Sequence, residues 1–298
     1  RIKNSRAKLF WFWVMLLFVL NSSRGISQVV VDSTLGPSSV LAGPHYKIPA
    51  SLGKTVGDNL FHSFSEFSIQ AGQTATFSGP EQIHNILGRV TGASISLVDG
   101  LIKSDIPESN LYLLNPNGFI FGQNAKVDVD GAFVVSARNR IKLGDKRGFD
   151  AVNPEKSTLI SASPEAFGFL GGNPAGNITF DGAKIIASKQ KSGIGVSGKV
   201  IQLKNSAMLA NEQGGSIRIE GEEIRLFSGS EVSADTRDHQ NGGNISMDAS
   251  SITLSESRLS SSTYYGGVKG AEGEGGSGGN ISIKAEQLDV GKYGELLV

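Results

Sequence analysis

The second half of the chain copies itself, and copying at this period leaves few folds open. Four segments begin alike: Gly176-Asn177-Ile178, Gly215-Ser216-Ile217, Gly243-Asn244-Ile245 and Gly279-Asn280-Ile281. Two residues after each Ile stands a second apolar residue, Phe180, Ile219, Met247 or Ile283. That is alternation with one buried side, the signature of a strand. Another apolar position falls seven residues after the first, at Ile185, Ile224, Ile252 and Leu288. Its own partners two residues on are Ala187, Leu226, Leu254 and Val290. A weaker third position is read at Ile194, Val232, Leu259 and Leu296. A further copy without the Gly-Asn opening starts at Ile194, with Val196, Ile201 and Leu203. Ile194 cannot fill both roles, so the register at that point stays open.

Short strands separated by turns and repeated in tandem describe the coils of a parallel β-helix. Inward Ile, Val and Leu would form ladders, and backbone groups would pair between coils. At about 20–25 residues per coil and ~4.8 Å per coil, the expectation is roughly 11–13 coils along an axis of about 50–60 Å. An antiparallel β-sandwich also has many short strands. The constant offset within all four copies favours the coil, because a sandwich has no internal copying.

The stretch Asn110 to Gly122 adds a corner. Asn115, Pro116, Asn117 and Gly118 suit the four positions of a type I turn, with Pro116 presetting the backbone. The flanks, Leu111 to Leu114 and Phe119 to Phe121, carry apolar groups on both faces, so both faces should be covered.

The ends of the chain differ from its middle. Arg1, Lys3, Arg6 and Lys8 precede an unbroken apolar run from Phe10 to Leu20, and Gly25 and Ser27 precede a cleavage point before Gln28. This is the layout of a secretory signal peptide over residues 1–27, with an N-terminal anchor helix as the other reading. The apolar run is short for a membrane span, which needs about 20 residues. The sequence does not begin with Met, and Lys292 to Val298 stop inside an unfinished unit without a polar cap, so a longer protein is expected. Residues 1–27 hold five of the 28 basic residues and none of the 28 acidic ones. The remainder has 23 basic and 28 acidic residues, a net charge of −5, which argues against a nucleic-acid partner. Cysteine is absent, as would suit a chain that crosses an outer membrane unfolded.

Four blocks then carry a family resemblance: Gly57-Asp58-Asn59-Leu60-Phe61-His62-Ser63-Phe64 with Phe67, Val90-Thr91-Gly92, Val98-Asp99-Gly100-Leu101-Ile102, and Asn110 to Gly122. In this order and spacing they resemble the secretion domain of two-partner secretion exoproteins, the filamentous haemagglutinin N-terminal type, and look most like its cyanobacterial branch. Two departures stand out. A second tetrapeptide, Asn-Pro-Asn-Leu, is absent, and Phe119 replaces the usual Ile after the Gly. The resemblance implies an all-β chain, a right-handed parallel β-helix with a capped N-terminal secretion domain. It divides the chain into a signal peptide (1–27), a secretion domain (28–170) and a β-helix repeat region (171–298). It further implies a non-enzymatic, adhesin-like exoprotein of a Gram-negative-type bacterium, exported to the cell surface or medium. The Sec machinery would read the signal peptide, and an outer-membrane β-barrel transporter with periplasmic domains would read the secretion domain. A host or cell-surface receptor or glycan would be a later partner. By the same analogy Asn115, Pro116, Asn117 and Gly118 form a corner needed for secretion. They either contact the transporter or only hold the turn, in which case mutation blocks export through misfolding. Phe61, Phe64 and Phe67 are expected to pack as core or cap, and Asn59 and His62 to form turns or caps.

Catalysis and cofactors find little support. A β-helical polysaccharide-acting enzyme would need converging carboxylates and a base, and Asp99, Lys103, Asp128 and Asp130 are the nearest candidates. A contact-dependent toxin carrier is the third class, and its effector would lie beyond residue 298. His45, His62, His84 and His239 show no metal-ligand spacing, and no cofactor is expected. Gly273, Gly275, Gly278 and Ser277 fit phosphate-loop and nucleophile-elbow patterns, but they lie in a Gly-rich loop, Gly266 to Gly279, that leads into no helix. The sequons at Asn177, Asn244 and Asn280 come with the repeat.

Overall fold

The computed structural model describes residues 28–144, 147–164, 176–187, 193–210, 214–237, 241–265, 268–269 and 277–298. The expected signal peptide and most of the Gly-rich loop lie outside the described residues. The rest is a parallel β-helix of about seven turns with three faces. The first face stacks Asn59–Phe67, Asn85–Val90, Asn110–Leu114 and Phe133–Ser136. It continues through the first halves of Ile194–Lys204, Ile217–Phe227, Ile245–Leu254 and Ile281–Val290. The second face stacks Ser96–Val98, Gly118–Phe121 and Asn177–Asp181, then the second halves of the same four strands. On the third face His45–Pro49, Thr74–Ser78, Leu101–Ser104 and Lys126–Asp128 form one stack. Lys184–Ile186, Ala207–Leu209, Ser230–Ser233, Ser257–Ser260 and Glu295–Leu297 form another.

Alternation explains the interior. Ile194, Ile217 and Ile245 lie in register on the first face, and Ile178, Ile201, Ile224 and Ile252 on the second, all buried. Each such side chain contributes about 1.5–3 kcal/mol on burial. Phe121 stacks on Phe180 with centroids 4.8 Å apart and planes 6° from parallel. Where the long strands pass from the first face to the second, the inner corner holds small residues, Gly198 opposite Gly221 and Ala249 opposite Ala285. A Cβ on Gly221 would stand 2.8 Å from the carbonyl oxygen of Gly198, so the corner leaves no room for more.

Two sequence expectations need correction. The copy at Gly176-Asn177-Ile178 is out of phase with the others: Ile178 pairs with Ile201, while Ile217 pairs with Ile194. The copy begun at Ile194 therefore belongs to the first face. Ile185 joins Met208, Val232, Leu259 and Leu296 on the third face rather than Ile224 and Ile252. The cause is an excursion: the chain leaves the solenoid after Ser136 and re-enters at Asn177, halfway round the same coil. The expected 11–13 coils become about seven for the same reason and two others. Residues before Asn59 build mostly a closure and a single third-face strand, and later coils lengthen, from 23 residues at Asn177–Val200 to 36 at Asn244–Asn280.

The closure is antiparallel. Val29–Val31 and Lys54–Val56 both pair with Asn59–Phe67, and Ser39–Val40 pairs with Val29–Val31. The first rung therefore does not present a bare edge, which would invite pairing with other chains. The excursion covers the outer side of the first face. Its hairpin, Arg140–Leu143 with Arg147–Asp150, lays Ile141, Leu143 and Phe149 on Phe61, Leu87, Tyr112, Leu114 and Val134. Leu111 and Leu113 point into the solenoid and Tyr112 and Leu114 out of it, so the strand is covered on both sides as its sequence requires.

Candidate functional site

The tetrapeptide is the corner between the first and second faces in the third rung. The Gly118 amide donates to the Asn115 carbonyl at 2.9 Å, closing the turn. The Asn115 side chain is completely buried. Its Oδ1 accepts from the Asn117 amide at 2.9 Å and from Asn117 Nδ2 at 3.1 Å. Its Nδ2 donates to the Ser94 carbonyl at 3.0 Å and to Ser96 Oγ at 2.9 Å. Both donors and both lone pairs are thus satisfied internally. Asn117 Nδ2 donates to the Gly92 carbonyl at 2.7 Å, and Pro116 and Asn117 are half-buried. Both asparagines therefore reach back to the preceding corner. The following corner presses from the other side: a Cβ on Gly176 would lie 2.5 Å from the Asn117 carbonyl carbon. Gly118 takes φ +104°, a region open to glycine, and a Cβ there would overlap the Asn177 carbonyl oxygen.

The Asn59 block sits at the other end of the first face. Asn59 begins an asparagine ladder: Asn85 Nδ2 donates to Asn59 Oδ1 at 2.9 Å, Asn110 Nδ2 to Asn85 Oδ1 at 3.0 Å, and the Ala132 amide to Asn110 Oδ1 at 2.8 Å. Asn59 Nδ2 ends the ladder on the carbonyls of Ile160 and Ala162, both at 2.8 Å. Phe61, Phe64 and Phe67 do not form one cluster. Phe64 and Phe67 pack inside with Phe77, while Phe61 points outward onto Phe149, centroids 5.1 Å apart. Spacing by three residues cannot stay on one side of a strand with a period of two unless the strand is irregular. The register shift opposite Val30 and Val31 is that irregularity, and it returns Phe67 to the interior. His62 also points inward, fully buried between Phe64 and Phe77, with ring centroids 6.1 and 5.5 Å away. Neither ring nitrogen has a hydrogen-bond partner, and burial lowers its pKa to about 4.

Sequence reading missed Arg89. It stands in Asn85–Val90, a strand buried at every position, and is itself 1% exposed. Nε donates to Ser63 Oγ at 2.8 Å, Nη1 to the Asp150 carbonyl and to Ser157 Oγ, both at 2.6 Å, and Nη2 to Thr34 Oγ1 at 2.9 Å. Its guanidinium carbon lies 4.4 Å from the Phe149 ring centre. Burial lowers its pKa to about 10, against the opposing pull of Asp32, Asp150 and Glu155. Burial pushes Asp32 upward, but hydrogen bonds from Thr34, Thr91 and Ser63 outweigh it and hold the carboxyl below its usual range. The signal available in the sequence was a lone charge in an apolar strand.

Of the candidate catalytic groups, Lys103 and Asp128 stand side by side on neighbouring rungs, while Asp99 is engaged at a corner. Asp99 accepts from the Asn124 amide at 2.9 Å and from its Nδ2 at 3.0 Å, which shapes a corner. Lys103 pairs with Asp105 at 2.9 Å on the open third face, opposite Asp128. His62 is interior, while His45 and His84 are exposed, so stacking does not gather the histidines; His239 lies outside the described residues. Among the described residues no group of His, Asp or Glu is placed to hold a metal ion.

A closed N-terminal rung, an uninterrupted interior from Val29 to Leu259 and a corner tied to its neighbours define a β-solenoid module. A family model described as the TPS secretion domain matches residues 27–290, and the chain belongs to that family. The family is one of secretion domains rather than enzymes, and places the chain among two-partner secretion exoproteins. Among solved structures, the HMW1 secretion domain from Haemophilus influenzae aligns at 15% identity and a TM-score of 0.37, covering 90% of this chain and 82% of that one. No curated protein matches the chain.

Proposed function

We propose that residues 28–170 direct export of an adhesin-like exoprotein through a dedicated outer-membrane β-barrel transporter, and that residues 171–298 are the first coils of its surface stalk. The signal peptide hands the chain to the Sec machinery, and cleavage falls between Ser27 and Gln28. The transporter's periplasmic domains then meet the secretion domain while it is extended, by strand addition. Each coil that folds outside offers an edge to the next, which opposes backsliding without a nucleotide. Later coils present the adhesive surface to a receptor or glycan. Family membership supports the export role, and the family match runs on past residue 170 to residue 290.

Asn115 carries the reading of the tetrapeptide. Its side chain has no hydrogen-bonding capacity left for a partner once folded. In the folded domain Asn115 is a fold determinant, and any contact with a transporter is made before folding. The test is secretion of the chain from a Gram-negative host with and without the outer-membrane barrel encoded beside its gene. Export only with the barrel supports the proposal; equal export without it, or none with it, overturns it. Asn115→Ala and Asn117→Ala, scored for both export and refolding, then separate recognition from turn stability.

A further inference from the structure

Residues 138–144 and 147–162 reach partners far back along the chain. Where no excursion intervenes, successive coils bond across 22 to 36 residues, as between Asn110 and Ala132 or Asn244 and Asn280, and across the excursion Phe133 pairs with Ile194, 61 residues on. Asn59 bonds to Ile160 and Ala162 across 101 and 103. The surface that receives the segment is composite. Phe61, Leu87, Tyr112 with Leu114, and Val134 come from four different strands of the first face. That surface exists only after four rungs have stacked in register, since a slip of one residue turns every side chain of a strand to the other side. Arg89 draws on three separate pieces of chain: Thr34 from the closure, Ser63 from the neighbouring rung, and Asp150 with Ser157 from the segment.

We propose that residues 138–144 and 147–162 are a clasp that closes last, on a correctly registered four-rung stack, with Arg89 as its latch. Before closure the outer side of the first face is bare and the Arg89 guanidinium lacks its Asp150 and Ser157 acceptors. Closure buries both and ties the closure strand, the rungs and the excursion into one unit. The clasp thus distinguishes a finished secretion domain from a partly wound one. Its bearing on export rests on the function proposed above; the order of folding does not, and needs no transporter.

Pulsed hydrogen exchange read by mass spectrometry, during refolding of the unmodified chain from urea, tests the order. The amides of Leu111, Asn115 and Phe133, which bond between rungs, should gain protection first. Those of Ala151 and Thr158, which bond within the clasp, should follow. Clasp amides protected together with the rungs, or before them, would overturn the proposal. Native-state exchange of Arg89→Met tests the latch. The expected result is loss of protection in the clasp with the C-terminal rungs retained. Unchanged clasp protection in Arg89→Met would show that Arg89 is not the latch. Should Arg89→Met fail to fold, Arg89→Lys decides, because a lone ammonium cannot span the acceptors on Ser63, Thr34, Asp150 and Ser157 at once, whereas Ser157→Ala also removes the bonds Ser157 makes to Asp150 within the clasp.

Discussion

Asn115 shows how much one buried side chain can decide. Replacing it with Ala leaves the Ser94 carbonyl, the Ser96 hydroxyl and the Asn117 amide short of a partner. Unsatisfied buried groups cost about 1–3 kcal/mol each. Asn115→Ala should lose about 2–4 kcal/mol and Asn117→Ala, with one bond outside the turn, about 1 kcal/mol. Urea unfolding would read both. His62 gives a pH signature. Its folded pKa of about 4 lies below the ordinary histidine value of 6.5, so the unfolded chain binds the proton first. Stability is therefore full above pH 6.5 and falls as pH drops toward 4, by about 3 kcal/mol in all. His62→Leu should flatten that stretch of the curve of urea midpoint against pH. If the slope between pH 6.5 and 4 persists in the variant, His62 is not its source. The turn formed by Asn115 to Gly118 was legible because Pro and Gly punctuate it. The partners of Asn115 were not, since Ser94 and Ser96 belong to another coil and nothing local points to them.

At the scale of strands and corners, the sequence showed what alternates and hid what interrupts. Both-sided burial of Leu111 to Leu114 could be read directly. The identity of the cover could not, because the hairpin 140–150 reads as another pair of coil strands. The same excursion shifted the apparent phase of Ile178 and Ile185, since a coil split by forty residues looks like two copies. The corners make the sharpest prediction. Gly176→Ala pushes a methyl group into the Asn117–Gly118 peptide. Gly118→Ala adds an unfavourable φ to an overlap with Asn177. Each should cost at least ~1–2 kcal/mol. Gly72→Ala, where nothing lies within 4 Å, meets only the backbone preference. Thermal melts of the three variants would order them, and a Gly72→Ala loss as large as the corner losses would refute the packing argument.

At the scale of the whole molecule, the first and last rungs of residues 28–298 differ. The first rung is closed by antiparallel strands, whereas among the described residues Ile281–Val290 bonds to Ile245–Leu254 alone, and Leu288, Val290 and Leu296 are 44–46% exposed. An apolar open edge recruits other strands. Residues 28–298 should self-associate with rising concentration in sedimentation velocity. Val290→Lys should weaken that by about tenfold, equivalent to ~1.4 kcal/mol. A monomer at all concentrations would mean the edge is blunted in another way. Repetition made the solenoid legible; its length in turns was not, because a residue count cannot tell coil from excursion.

The spacing between rungs carries a last consequence. Coils of 22 and of 36 residues add the same rise, about 4.8 Å. Extra residues widen the rod at its rim without stretching it. A molecule built this way is a ruler graduated in turns: evolution can decorate any turn without moving what lies at the far end, and only the gain or loss of a whole turn changes its reach.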